Sequence, residues 1–266
     1  MPYDATVMPS ESGTDRALLA RFGAAHRAAV RAEWSAARAA GLDMSVIDDG
    51  GLLLGAAPSI ASSMFNRGLG FTEQPSRTNV ARTFFAEHGV SGEIVLDPAD
   101  APSGIEPRIR LDVYVAPPDQ VATEDADLTI RVVGDSEIDA WMDLAIDANE
   151  PMPDVAVLWR SMAPHVGRTP DWVLVAGEAD GRIVAAASLF VTDGVGWQSW
   201  ASVTPSARGN GYQRALIAAR AKLAAEAGCE LVAAWALVDA HSSRNLARAG
   251  LRRIGQRVVV AASALG

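Results

Sequence analysis

The sequence predicts an α/β protein with a mixed sheet and helices on both of its sides. The chain has 266 residues, of which 49% are hydrophobic and 21% charged, so it can bury a sizeable core. Short runs rich in β-branched residues alternate with segments of helical spacing. Asp-Gly pairs separate several of the predicted strands, as is typical of tight hairpins.

The order of elements is clearest after residue 127, where it reads β-α-α-β-β-β-loop-α-β-α-β. Strands are predicted at 128–133, 172–177, 182–191, 195–203, 230–237 and 252–260. Helices are predicted at 136–148, 154–165, 211–227 and 242–249. Asp180 and Asp193 each precede a glycine at a hairpin turn, and Gly228 ends the longest of these helices.

The first half shows a weaker version of the same pattern. Helices are predicted at 14–40 and 78–88, strands at 92–96 and 109–115, and a hairpin at 43–48 and 51–56 around Asp49 and Gly50. Two prolines followed by an acidic, polar run separate the halves. We therefore predict a first domain at 1–117, a linker at 118–127 and a second domain at 128–266.

Composition excludes several classes of protein. A single cysteine, Cys229, excludes a disulfide framework, and four scattered histidines give no basis for a metal site. The net charge of −9 argues against a nucleic-acid partner. The apolar runs are too short to span a membrane, and the first residues lack a secretory pattern. A cytoplasmic location is expected, and the oligomeric state stays open.

One stretch, 203–217, carries the pattern of an anion site. A predicted strand enters a loop containing Gly209 and Gly211, and the loop opens a long helix. Glycines let backbone N–H groups approach a ligand, and a helix N-terminus favours negative charge. Residues 201–260 hold nine arginines and lysines against three acids, and Arg208 and Arg214 flank the loop. The stretch thus predicts a phosphate or pyrophosphate site.

Two common phosphate motifs do not fit this loop. A nucleotide-binding P-loop needs a Gly-Lys-Ser/Thr triplet, and none follows. A dinucleotide fingerprint needs a third glycine, but Arg214 occupies that position.

The loop resembles the acyl-CoA loop of the GNAT N-acetyltransferase superfamily. Its Val-x-Pro-x-x-Arg-Gly-x-Gly pattern is matched in register by Val203, Pro205, Arg208, Gly209 and Gly211. Gln213 replaces the final small residue of the motif. Residues 242–251 resemble the helix and Gly-Phe segment of the family, with Leu251 in the phenylalanine position. The resemblance covers about 128–260.

This resemblance implies acyl transfer from acetyl-CoA to an amine, with acetyl-CoA as co-substrate and no metal. The strand before the loop would hold the pantetheine arm and supply a backbone N–H to the oxyanion, through Trp200, Ala201, Ser202 and Val203. The loop would hold the pyrophosphate through Arg208, Gly209, Asn210, Gly211, Tyr212 and Gln213. Asn245 would reach the CoA arm.

The proton carriers are less well defined. The family often uses a tyrosine at the position of Leu246, and the strand 195–204 contains no acid. Asp239, His241 and Ser242 are the candidate catalytic residues, each with an alternative structural role as a helix cap or loop residue. A water chain or a residue of the first half are further candidates for the base. By alternation, Trp197 and Trp200 are expected on opposite faces of their strand.

The first half resembles a degenerate copy of the same fold, on the evidence of 66–71 and of Phe84 and Phe85. No Arg-Gly-x-Gly loop follows a strand there, so that half is not expected to bind CoA. The leading hypothesis is a tandem N-acyltransferase acting on a small-molecule amine, which the negative charge would attract. The alternative is a non-catalytic acyl-CoA-binding or regulatory protein of the same fold.

Overall fold

The computed structural model describes residues 13–49, 51–71 and 75–265. These residues form six α-helices and eleven β-strands. The helices are α1 Gly13–Ala39, α2 Thr78–Glu87, α3 Ile138–Asn149, α4 Pro153–Gly167, α5 Tyr212–Glu226 and α6 His241–Arg248. The strands are β1 Ser45–Asp49, β2 Leu52–Ala56, β3 Arg67–Leu69, β4 Glu93–Leu96, β5 Ile109–Ala116, β6 Thr129–Val132, β7 Trp172–Ala179, β8 Arg182–Thr192, β9 Val195–Val203, β10 Leu231–Leu237 and β11 Arg252–Ala261.

Every predicted helix and strand is present, with ends within two residues of those expected. β3 was not predicted, because three residues centred on a glycine give no alternation to detect. Gly68 is required there by packing, since a Cβ at this position would lie 2.8 Å from the Phe71 ring. Gly50, at the first hairpin turn, and residues 1–12, on which the expected location depends, lie outside the described residues.

All eleven strands form one mixed sheet, in the order β1-β2-β3-β4-β11-β5-β10-β9-β8-β7-β6. The two halves of the chain exchange strands at its centre. β5, from the first half, pairs with β10 of the second, and β11, from the second half, lies between β4 and β5. Each half of the chain therefore contributes a strand that pairs with strands of the other half.

Helices cover both faces of the sheet, as the pattern predicted. α1, α3 and α4 pack on one face over a large apolar core that contains Phe22 and Trp141. α2, α5 and α6 cover the other face, where separate clusters form around Phe85 and Ile217. α1 crosses from one half to the other, because Phe22 packs edge-on against Trp197 of β9, with 5.3 Å between ring centroids. The first half thus contacts the second in two places, through α1 on one face of the sheet and through β5 beside β10.

The segment predicted as a linker packs against the second half. Val121 is buried, and the backbone N–H of Ala122 donates to the carbonyl of Ala249. Glu124 forms a 2.5 Å ion pair with Arg214, in the first turn of α5. This segment therefore reaches the start of the helix that the glycine loop opens.

Within the described ranges, none of the helices combines the length and the apolar character needed to cross a bilayer. In the same part of the chain, histidine, cysteine and acidic side chains nowhere gather in a group of three suited to a metal ion.

Candidate active site

A β-bulge interrupts β9 at the centre of the site. Ala186 pairs with Ser202 and Ser188 pairs with Ser199, so Trp200 and Ala201 together oppose the single residue Ala187. Trp200 takes up the extra length in a left-handed conformation with φ of 50°. This conformation is costly for a tryptophan, so the surrounding structure must hold it. The bulge leaves one residue outside the regular ladder of hydrogen bonds.

The bulge also corrects the expected arrangement of the two tryptophans. The prediction that Trp197 and Trp200 lie on opposite faces is wrong, because the extra residue reverses the alternation between them. Trp197 packs against Phe22 of α1. Trp200 donates its indole N–H to Glu33, also of α1, at 2.7 Å. Both tryptophans therefore face α1.

A buried arginine on the opposite side of the sheet secures the bulge. Arg220 of α5 donates through one Nη1 atom to the carbonyls of Ser188 and Ser199, at 3.2 and 3.0 Å. These two residues are the last regular pair before the bulge. Burial lowers the pKa of Arg220 to about 9, so its guanidinium stays charged near neutral pH. A charged donor to two buried carbonyls makes a strong clamp.

β9 and β10 diverge beside the bulge. These parallel strands pair only through Val195–Trp197 and Leu231–Ala233, although β9 continues to Val203 and β10 to Leu237. Beyond this short pairing the sheet opens into a gap, which begins close to the bulge. Backbone groups along the gap are free of their usual strand partner, as suits the binding of an extended ligand.

The glycine loop lies at the end of β9 and opens α5. Gly209 and Gly211 both have positive φ, 91° and 78°, which non-glycine residues adopt only with strain. Gly211 precedes α5 and gives no side-chain cap, and the N–H of Arg214 donates to the carbonyl of Gly211, so the N–H groups of Tyr212 and Gln213 remain available for a ligand. The loop therefore has the local geometry of an anion site.

A cavity of about 610 Å³ lies between this loop, the bulge and the start of α6. Nine residues predicted for cofactor binding line it, namely Ala201, Ser202, Val203, Arg208, Gly209, Gly211, Tyr212, Gln213 and Asn245. Two others do not. Trp200 points to the far side of β9, and Asn210 donates to the carbonyl of Ala207 and so closes the loop on itself.

Comparison with protein families agrees with this geometry. Residues 138–251 match the model of the acetyltransferase (GNAT) family. The chain carries a GNAT domain. Among curated proteins, none matches the chain significantly. The matched segment contains the bulge, the glycine loop and the start of α6, and so every residue that lines the cavity.

Solved structures show that the GNAT likeness of the fold extends beyond that segment. A GCN5-related N-acetyltransferase from Kribbella flavida is 20% identical, with a TM-score of 0.62 over 85% of this chain and 95% of that one. One from Sphaerobacter thermophilus is 19% identical, with a TM-score of 0.56 over 78% and 79%. A tandem GNAT protein from the clavulanic acid biosynthesis pathway is 15% identical, with a TM-score of 0.53 over 82% of each chain. The fold is thus of tandem GNAT type.

Of the three residues predicted to be catalytic, Asp239, His241 and Ser242, only His241 lies at the cavity wall. His241 lines the cavity, and its Nδ1 lies 2.9 Å from Nη2 of Arg244. Asp239 is exposed in a left-handed turn, where its carbonyl accepts from Arg244. Ser242 is half-buried away from the cavity wall. Neither Asp239 nor Ser242 caps α6, whose N-cap is Ala240.

A second cavity, of about 250 Å³, lies on the α1 side of the bulge in β9. It shares Asn149, Ala201 and Ser202 with the first cavity, so the two adjoin across β9. Its aromatic wall consists of Trp159, Trp197, Trp200 and Trp235. Its ionisable residues all come from the first half of the chain and are His26, Glu33 and Arg67.

Burial shifts the pKa of each of these ionisable groups. It raises the pKa of Glu33, against the opposing effect of the hydrogen bond from Trp200. It lowers the pKa of Arg67, which Glu33 partly counteracts. It also lowers the pKa of His26 well below the ordinary value, with Arg67 adding to the effect. The cavity is thus lined by an imidazole that is neutral at neutral pH, a carboxyl whose burial favours the protonated form, and a guanidinium.

His26 should make the stability of the fold depend on pH. The unfolded chain binds a proton on this imidazole near pH 6.5, whereas the folded protein resists it. As pH falls below about 6.5, the unfolded state is favoured by up to about 1.4 kcal/mol per pH unit. We expect His26→Phe, which keeps a ring against Trp197 and Trp235, to lack this loss. Denaturant unfolding of both proteins at pH 5 to 7 tests it, and parallel profiles would contradict it.

The residues that the first half contributes to the second cavity were not predicted. His26 and Glu33 lie seven positions apart on α1, on the stripe that also contains Val30. Polar side chains within an otherwise apolar helical stripe were the available indication. Asn149, at the end of α3, was also missed, and its Nδ2 donates to Oγ of Ser202 at 2.7 Å.

Proposed function

We propose that the protein transfers an acyl group, by default acetyl, from acetyl-CoA to the amine of a small molecule. The observation that supports this proposal is the glycine loop opening α5 at the wall of the 610 Å³ cavity, beside the gap between β9 and β10. The N–H groups of Tyr212 and Gln213 suit a pyrophosphate, as do the side chains of Arg208 and Arg248, which line the same cavity.

The bulge and its neighbours would serve the thioester end of the co-substrate. Ala201 and Ser202 line both cavities, so an acyl group bound along β9 would face the second cavity, where the acceptor would lie. An amine must lose a proton before it attacks, since its ordinary pKa is near 10.4. Backbone donors at the bulge would stabilise the oxyanion that forms.

Thermal unfolding with and without acetyl-CoA tests the binding half of this proposal. A ligand at 100 times its Kd should stabilise the fold by about 2.7 kcal/mol. We expect Arg208→Glu to remove the shift, because it places a negative charge at the pyrophosphate site. Arg182→Glu, which reverses an exposed charge at the start of β8, is the matched control and should keep it. No shift in the wild type would overturn the proposal.

Release of free thiol separates an enzyme from a non-catalytic acyl-CoA-binding protein. The second candidate is favoured by one observation, since the position of the family's tyrosine is occupied by Leu246, which is buried. Stabilisation by acetyl-CoA with no thiol release from any amine in a broad panel would select that candidate.

Glu124 should weaken the binding of acetyl-CoA. Its carboxylate pairs with Arg214 and lies over the loop, 2.7 Å from where a Cβ on Gly211 would be. Glu124→Gln removes a negative charge beside the phosphates and frees Arg214, so we expect two- to fivefold tighter binding by calorimetry, as for a partly exposed ion pair worth about 1 kcal/mol. Glu226→Gln, which breaks a pair with Lys222 at the far end of α5, is the control. Weaker binding would show that Glu124 instead positions Arg214.

A further inference from the structure

The second cavity is lined by one acidic and one basic side chain, Glu33 and Arg67, that are not paired with each other. Oε1 of Glu33 accepts only from Trp200, and the guanidinium of Arg67 donates through Nε to the carbonyl of Ser63. Among the described residues, neither side chain forms an ion pair within 4 Å. Both side chains are half-buried, and charges partly withdrawn from water are costly unless a partner meets them. The arrangement therefore suits a ligand that brings one charge of each sign.

The two charges also differ in their position relative to the first cavity. Glu33 accepts a hydrogen bond from Trp200 in the bulge. Ala201 and Ser202, which follow Trp200 in the chain, line both cavities. Arg67 belongs to β3 of the first half. A ligand spanning both charges would place its positive end beside the bulge, where the thioester would lie.

The remaining walls set the size and character of the ligand. Four tryptophans surround the cavity, and indole faces attract ammonium groups as well as carbon chains. The volume of about 250 Å³ is smaller than the roughly 300–1,000 Å³ typical of pockets for drug-sized ligands. His26 is neutral, so it adds no third charge.

We propose, on the basis of the function proposed above, that the acceptor is a small amine that also carries a carboxylate, with its ammonium group at Glu33 and its carboxylate at Arg67. An amino acid has this chemistry. Bidentate pairing of a guanidinium with a carboxylate would fix the orientation of the acceptor and select against amines that lack the acid.

Glu33 would also act in the transfer itself. One proton passes from the ammonium nitrogen to the Glu33 carboxylate. The free amine then forms a bond to the acyl carbon, the carbon–sulfur bond breaks, and the second nitrogen proton ends on the released thiol. Glu33 returns its proton to solvent. The raised pKa of Glu33 makes it a stronger base than an ordinary carboxylate.

Acceptor selectivity tests the inference. Thiol release from acetyl-CoA would be measured with the twenty amino acids and, for each, with the matched amine that lacks the carboxylate. We expect at least one amino acid to be used at least tenfold better, in kcat/KM, than its decarboxylated counterpart. Stabilisation by acetyl-CoA is measured alongside, because its failure overturns the proposed function and not the selectivity alone. Stabilisation without this preference, or without turnover of any amino acid, would overturn the inference.

Three variants separate recognition from folding. Arg67→Gln should bring the ratio of amino acid to amine towards one, mainly by raising KM for the amino acid, and Arg67→Lys should restore part of it. Glu33→Gln can still accept from Trp200 and so should keep both its melting temperature and its acetyl-CoA shift, while losing at least 100-fold in kcat. Asp143→Asn, which removes an exposed carboxylate of α3, is the control. Unchanged selectivity in Arg67→Gln would contradict the assigned role.

Discussion

A chain that ends at Leu251 should fail to fold, although it keeps the whole glycine loop and α6. It lacks β11, the strand between β4 and β5 at the centre of the sheet. Four buried apolar side chains of β11 are lost, those of Ile254, Val258, Val259 and Val260. At about 2 kcal/mol each, they rival the entire stability of a typical domain, about 5–15 kcal/mol. Circular dichroism and gel filtration would show loss of cooperative unfolding and of the native size.

The matched control for this truncation is a chain that ends at Ala261. It retains all of β11 and loses only the last turn, in which Ala262 and Leu265 are buried. We expect it to fold with reduced stability. If the shorter chain unfolded cooperatively and bound acetyl-CoA like the full chain, β11 would be dispensable and its central place in the sheet would be contradicted.

The second large effect is expected for Arg220→Leu. This change leaves the carbonyls of Ser188 and Ser199 buried without their shared donor, at a cost of about 1–3 kcal/mol each. Relief of the buried charge offsets part of this cost, so we expect a net loss of about 3 kcal/mol in the free energy of unfolding. The bulge should relax, and because it positions Trp200 and Ala201, thiol release should fall at least tenfold.

Denaturant unfolding and thiol-release assays would measure both effects. Arg160→Leu, which removes an exposed arginine of α4, is the control and should alter neither. Arg220→Lys keeps a buried donor and should lie between the wild type and Arg220→Leu. A leucine variant that unfolds at lower denaturant but keeps full activity would show that Arg220 stabilises the fold without shaping the site.

The elements of the fold were predictable because their causes are local. The alternation in 252–260 and the helical spacing in 211–227 specify a strand and a helix wherever they lie. The neighbours of a strand are not specified in this way. Nothing in the residues of β5 or β11 indicates that each pairs across the boundary between the halves, since buried strands with similar apolar faces can pair with many partners.

The same distinction applies to the site. Gly209 and Gly211 were predictable, because a left-handed loop before a helix demands glycine at its own positions. The bulge at Trp200 was not, because a tryptophan in this conformation depends on Arg220, twenty residues later, for its support. Glu33 and Arg67 escaped prediction for a similar reason, since only the tertiary fold brings α1 and β3 to the far side of β9.

The exchanged strands also constrain how the protein acquires its structure during synthesis. β4 and β5 leave the ribosome early, but their shared neighbour β11 ends at Ala261. The first half therefore cannot complete its sheet while the rest is being translated, and it waits with an open edge on β4. Long-range pairings of this kind slow folding and leave edges exposed to aggregation. We expect refolding of the full chain to be slow, and nascent chains that lack β11 to need chaperones.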